Sequence, residues 1–323
     1  MNKIFLLVWV IVSFGACSLF GQAIDNTNSL HDQSDQKYFR FHYDNDFFTA
    51  TDYYYSQGIN FELSDPLLRK FFLSQILLVK NNSRVNFGIA VEHDAYTPTS
   101  IRHNEISEGD RPFSACLMFK MFSVSIDTIE HVRLTSVFST GVIGPSAFGE
   151  EMQKGIHHWL NDIQPLGWQN QIHNDIIINY EISHETQILF CGNNFALNSN
   201  VQLRAGTLSD KIQAGFSVLF GNFNSAFQTN KIENKKRFQF YFYSQPLVNL
   251  IAYDATLQGG LLNQDSPYKL DASQITRIVF QNNFGVVVKL KKIYLEYYQS
   301  ILTKEFLTGQ YHRWGGIKVG LNL

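Results

Sequence analysis

The chain has 323 residues, with 26 Lys or Arg against 28 Asp or Glu, and its formal net charge of −2 gives no argument for nucleic acid or for an acidic surface as partner. Aromatic residues reach 15% and charged ones only 17%, unlike a typical soluble domain, and beyond residue 23 no apolar run is long enough for a spanning helix. A helical membrane protein is thereby excluded, which leaves an exported β-rich chain, either an outer-membrane β-barrel or a secreted β-sandwich.

Residues 1–23 read as a secretory signal. Lys3 supplies the positive start, Ile4 to Val12 an apolar run, and Gly21-Gln22-Ala23 a small-x-small cleavage site. The run is short for a membrane anchor, and no stop-transfer charges follow it. Cys17 as a lipoprotein cysteine is a weak alternative, because Phe14-Gly15-Ala16 lacks the usual aliphatic first residue. Residues 24–323 then form one domain. Its cysteines, Cys116 and Cys191, each sit in a strand-like apolar run, and both a disulfide and two buried free thiols remain open.

The stretch Tyr43–Gly58, YDNDFFTATDYYYSQG, gathers Asp44, Asn45, Asp46, Asp52 and Ser56 among aromatic residues. One reading is a turn whose Asp and Asn side chains bond their own backbone. The other is a set of hard oxygen ligands at a hairpin tip, which suits calcium.

Period-two alternation flanks this stretch and recurs to the end of the chain. Phe39, Phe41 and Tyr43 alternate with Arg40, His42 and Asp44. Ile59, Phe61 and Leu63 alternate with Asn60 and Glu62, and Val85, Phe87, Ile89 and Val91 with Asn86 and Glu92. Ile176 to Ile182, Ile212 to Phe220, Phe238 to Phe242 and Ile317 to Leu323 follow the same rule. Arg40, His42, Asn60, Glu62, Asn86, Glu92 and Gln213 would make a polar interior, which favours a barrel over a sandwich. The segmentation gives about thirteen spans where an even number is expected, with boundaries least defined in 185–208 and 237–258.

Two segments interrupt the pattern. Pro66–Lys80, PLLRKFFLSQILLVK, is apolar on more than one face and reads either as a short amphipathic helix at the membrane edge or as a strand and turn. Gly144–Gln171 reads as a helix, with Ser146 as its cap, Glu150 and Glu151 in its first turns and Pro165 beyond its end. On it Glu150, Gln153 and His157 share one face. Counting strands 83–93, 113–127 and 130–143 puts this helix at the same rim as the 43–58 hairpin.

These motifs resemble a known family, the outer-membrane lipid A 3-O-deacylases of Gram-negative bacteria. The resemblance runs through DND-FF and TDYYYSQGI at 44–59, YTP at 96–98, DRPF at 110–113, GPSAFGEEMQKGIHH at 144–158 and GWQNQ at 167–171, in family order and approximate spacing. It implies a twelve-stranded outer-membrane barrel with a short helix in an extracellular loop. It also implies calcium-dependent hydrolysis of 3-position acyl esters of lipid A, with lipopolysaccharide and outer-membrane lipid as partners. Carried over by position, the Asn-Asp pair is Asn45 and Asp46, the hydroxyl is Ser56, and the Gln-x-x-x-His pair is Gln153 and His157. Asp162 is the nearest match to the family's later acidic residue, which makes Asp46, Asn45 and Asp162 the expected calcium ligands. His158 leaves a one-residue ambiguity that the spacing resolves toward His157.

The residue types suit the chemistry. A histidine can take a proton from water near neutral pH. A calcium ion polarises the ester carbonyl, Asn45 and Ser56 complete its shell or donate to the oxyanion, and Gln153 orients His157 or the substrate. Ser56 as nucleophile ranks lower, since no G-x-S-x-G elbow is present. A phospholipase-type barrel and a non-catalytic porin or adhesin are the alternatives.

Overall fold

The computed structural model describes residues 37–51, 53–228 and 237–323. The leader at 1–23 and Asp52 lie outside the described residues. Twelve antiparallel strands are present: β1 (Tyr38–Asn45), β2 (Tyr54–Ser64), β3 (Arg84–Thr97), β4 (Ser114–Asp127), β5 (Val132–Ile143), β6 (Asp175–Cys191), β7 (Phe195–Gly206), β8 (Ser209–Asn222), β9 (Phe238–Asp254), β10 (Ile278–Leu290), β11 (Ile293–Leu302) and β12 (His312–Asn322). Each pairs with its neighbours in sequence. β1 closes the sheet on β12, from Tyr38 opposite Asn322 to Asn45 opposite Gly315, so the barrel has no free edge. The spans number twelve rather than about thirteen: 185–208 holds the end of β6 and the whole of β7, and 237–258 holds the single strand β9 followed by a helical turn at Ala255–Gln258.

The alternation read from the sequence is the in-out pattern of this wall. Phe61, Val91, Ile176, Ile212, Phe216 and Leu321 stand outward, each more than two-fifths exposed. Their neighbours Arg40, His42, Asn60, Asn86, Glu92 and Gln213 point in and are buried. A sandwich would have reversed this, with its apolar set enclosed. The interior is filled with matched charges. Glu92 pairs with Lys120, Arg133 with Glu185 at 2.6 Å, Arg204 with Glu181 at 2.7 Å and Lys318 with Glu296 at 3.4 Å. Among them Tyr55, Tyr96, Tyr243, Tyr294, Tyr298 and Trp314 belong to a buried aromatic cluster, in which Tyr243 and Tyr294 both donate to Glu296.

The chain ends, the short turns after β4, β6 and β10 and the 65–83 segment lie at one rim, the terminal rim, and most of the long loops at the other, the distal rim. Both cysteines are free. Cys116 is buried near the distal end of β4, whereas Cys191 is exposed where β6 meets the terminal rim, so a disulfide between them has no geometry. Pro66–Lys80 is neither an amphipathic α-helix nor a strand. It makes two 3-10 turns, Pro66–Lys70 and Phe72–Ile76, folded against the outside of the wall at the terminal rim. Its two apolar faces have two neighbours, the wall on one side and the barrel's surroundings on the other.

Candidate active site

The hairpin between β1 and β2 is built by Asn45. Its backbone is extended, and its Oδ1 accepts from Phe47 N at 2.7 Å to cap a 3-10 turn over Asp46–Thr49. Its Nδ2 donates to the Ser56 carbonyl at 2.5 Å and so staples the two sides of the hairpin. Thr49 donates to the Asp46 carbonyl at 2.8 Å and Thr51 to the Arg313 carbonyl at 2.6 Å, which ties the turn to β12. Asp46, only 3% exposed, is thereby held at the base of the turn. The turn is thus one whose Asn side chain bonds its own backbone, the first of the two readings.

Ser56 occupies a β-bulge, where the register between β2 and β3 shifts from Tyr55 to Gln57. Bulges re-aim a side chain. Tyr55 turns in to bond Asp94 at 2.9 Å, while Ser56 Oγ lies 2.7 Å from the Thr97 hydroxyl. The sequence carried no signal for the bulge, but Thr97 belongs to the YTP motif.

The 144–171 loop lies against the outer wall of the barrel, not over its lumen. The expected cap differs. Ser146 sits in a 3-10 turn at Pro145–Ala147, and the helix α1 (Gly149–Leu160) begins only after Phe148, whose left-handed backbone (φ 61°) separates the two. His93, on the outward side of β3, donates from Nε2 to the Ala147 carbonyl at 2.9 Å. Gly149 packs against the wall so closely that a Cβ there would stand 2.4 Å from that of Ala115. Gln57, next to Ser56, donates to Met152 Sδ at 2.5 Å. This contact joins hairpin to helix at one rim, as strand counting anticipated.

Along α1 the shared face is divided by depth. Glu150 pairs with Lys154 at 2.5 Å at the half-exposed start. Gln153 is buried, and its Oε1 accepts from the indole of fully buried Trp168 at 2.7 Å. Indole is a donor only, so this bond fixes the amide and leaves the Gln153 NH2 as the presented group. Trp168 stacks at a tilt on Phe113 at 5.0 Å. Both come from family motifs, GWQNQ and DRPF.

His157 Nδ1 lies 2.6 Å from the Ile163 carbonyl. A carbonyl only accepts, so Nδ1 carries the hydrogen and the neutral ring keeps its lone pair on Nε2. Asp162 stands beside it. Its Oδ2 is 3.9 Å from Nδ1, its Oδ1 accepts from Ile163 N, and its own N–H donates to the His157 carbonyl at 2.8 Å. His158 is exposed. Among the described residues no hydrogen bond links His157 to Asn45 or Ser56, or Asp162 to the hairpin, and the Gln57–Met152 contact ties the two halves together.

Among the described residues no three His, Cys, Asp or Glu side chains converge as a metal cluster. Among the described residues the hairpin offers the carboxylate of Asp46 with the amide of Asn45 and the hydroxyl of Ser56, beside the Thr97 hydroxyl of β3. A carboxylate among neutral oxygens is a donor set of the kind calcium accepts. Asp162 stands with His157 rather than with these oxygens.

The lumen is stoppered beneath the remaining loops. Arg111 bonds Glu305 at 2.5 Å and Thr256 at 2.8 Å, and lies over the Tyr96 ring. Burial pushes the Glu305 carboxyl up from its ordinary range, against the pull of Arg111.

The family model described as "Outer membrane protein LpxR" matches residues 6–323. No curated protein sequence matches the chain. Similar solved structures include LpxR from Salmonella typhimurium, with a TM-score of 0.70 and 21% identity over 88% of this chain and 100% of that one. The β-domain of the Bordetella autotransporter BrkA follows at 0.46 and 8%, over 90% of this chain and 100% of that one. At 21% identity the LpxR structure speaks to fold, and it is the family match over nearly the whole length that decides membership. The chain belongs to the LpxR family of outer-membrane proteins.

Proposed function

We propose that this barrel is a calcium-dependent lipid A 3-O-deacylase whose reacting groups lie between the outer wall and α1, at the extracellular rim. The observation that carries the reading is His157. Its Nδ1 hydrogen is committed to Ile163, and the helix that holds it is tied to the Asn45–Ser56 hairpin by the Gln57–Met152 contact. The distal rim is taken as the extracellular one because barrels of this kind carry their long loops outside.

His157 Nε2 takes a proton from water as the oxygen adds to the ester carbonyl carbon. The tetrahedral oxyanion receives a hydrogen bond from the Gln153 NH2, whose orientation Trp168 sets. Collapse breaks the bond to the sugar 3-oxygen, which recovers the proton from the imidazolium. The products are a fatty acid and a 3-hydroxyl lipid A. Asp162, beside Nδ1, stabilises the imidazolium while it exists. Calcium, when bound, would be held by Asp46 with Asn45 and Ser56 and would supply positive charge at the carbonyl oxygen. Ser56 is a poor nucleophile here, because its hydroxyl is engaged by Thr97 and among the described residues no base bonds it.

The test is to incubate the purified barrel, with calcium or with chelator, with lipid A and separately with glycerophospholipid, and to read products by mass spectrometry. The reading expects loss of the 3-position acyl mass from lipid A only, and only with calcium. Cleavage of the phospholipid alone would make this a phospholipase-type barrel. No product from either would make it non-catalytic.

A further inference from the structure

The segment between β2 and β3 is folded onto the barrel's outer wall. Leu77 is buried there with Phe87 and Met121, flanked by Leu68, Leu73, Ile89, Phe119 and Phe138. Met121 stands six residues in from Asp127, the end of β4. At about 3.3 Å per residue and a tilt of about 40°, the segment climbs roughly 15 Å of wall. That height falls within the band of a membrane barrel that faces lipid.

Irregular backbone survives at such depth only where protein satisfies it. The wall supplies what the strap needs. Ser123 and Ser136 both donate to the Leu78 carbonyl at 3.0 Å. Tyr180 accepts from Leu78 N at 3.0 Å and donates to the Ile76 carbonyl at 2.9 Å, and Ser125 accepts from Lys80 N at 3.1 Å. The three serines are outward-facing yet fully buried. Hydroxyls on a lipid-facing wall are unfavourable on their own, and here each has a backbone partner in the strap.

The strap's other face is apolar. Leu67 and Phe72 are 69% and 67% exposed, and Phe71, Ile76 and Val79 continue the patch into the bare wall on either side. Arg69 and Lys70 are exposed at its start, and among the described residues no ion pair involves either of them.

We infer that Pro66–Lys80 is a re-entrant strap embedded in the periplasmic leaflet, where it binds glycerophospholipid. Acyl chains pack on Leu67, Phe72, Ile76 and Val79, and the headgroup phosphate meets Arg69 and Lys70. The inference rests on the outer-membrane placement and on the geometry of the wall, and is independent of the hydrolase reading.

The test uses the full chain reconstituted in phosphatidylglycerol–phosphatidylethanolamine vesicles, with Phe72→Trp compared against the parent by difference emission. Brominated acyl chains should quench the added tryptophan at least about two-fold, and aqueous acrylamide should leave it nearly unchanged. Quenching by acrylamide and not by bromine would place the strap in water and overturn the inference. Ile76→Trp reports on the same face should Phe72→Trp fail to fold. Native mass spectrometry of Arg69→Gln/Lys70→Gln should show several-fold less retained phosphatidylglycerol than the parent. Equal retention by both would remove the phosphate contact.

Discussion

Trp168 is the residue on which the proposed chemistry is most finely balanced. A glutamine amide can flip, and flipped it would present an acceptor to a developing oxyanion. The indole hydrogen forbids that flip. Trp168→Phe keeps a ring against Phe113 and removes only the hydrogen. We expect kcat to fall about tenfold, near 1.4 kcal/mol of transition-state stabilisation, with KM and thermal stability little changed. Steady-state kinetics would check this, and in a Gln153→Ala background the same change should add nothing. His157→Asn should lower kcat about 10²-fold or more, whereas His158→Ala should be mild because His158 is exposed. If His158→Ala proves the inactive variant, the base has been placed one residue off. Asp46 is better tested by Asn than by Ala, since at 3% exposure its shape matters as well as its charge. Asp46→Asn should raise the calcium needed for half-maximal activity at least about tenfold while the barrel stays heat-modifiable. An unchanged calcium titration would remove it from the ion's shell.

At the scale of elements, legibility followed periodicity. The alternation of Phe39–Tyr43 or Ile212–Phe220 is a direct imprint of one side facing out, so these strands can be read from the pattern of residues alone. The bulge at Ser56 could not, since one extra residue leaves no compositional trace. The Ser146 cap misled for a related reason: Pro145 starts a 3-10 turn that uses up the cap before α1 begins, and only the backbone at Phe148 reveals the break. Pro66–Lys80 was illegible because both its faces are apolar, which no helical or strand period describes. Gly149 shows how tightly α1 depends on the wall. Gly149→Ala forces a methyl to within 2.4 Å of the Ala115 Cβ, next to the Trp168 ring. Overpacking of this order costs about 1–3 kcal/mol. The strain should be relieved by lifting α1 rather than by opening the barrel. Limited proteolysis should then cut the 144–171 loop sooner while the barrel's heat-modifiability is retained, and activity should drop with it.

The whole molecule inverts the usual arrangement of a folded chain, with its apolar residues outside and its charges within, and this inversion was visible in the sequence as an inward set too polar for a sandwich. What the sequence did not reveal is that the inward charges are paired across strands, because register is set by long-range closure of β1 on β12 and not by local pattern. Such pairs contribute little over a well-packed apolar substitute but are costly to break singly. Arg133 and Glu185 face each other at 2.6 Å on β5 and β6, and Asn198 also donates to the same carboxylate oxygen at 3.1 Å. Arg133→Met leaves the Glu185 charge buried with only that amide for company, and should destabilise the barrel by about 3–5 kcal/mol. Arg133→Met combined with Glu185→Leu removes both charges and should recover most of the loss. Urea unfolding in detergent or vesicles, followed by the shift in gel mobility, would compare the two. If the double variant is no more stable than the single one, the pair is not what holds this part of the interior together.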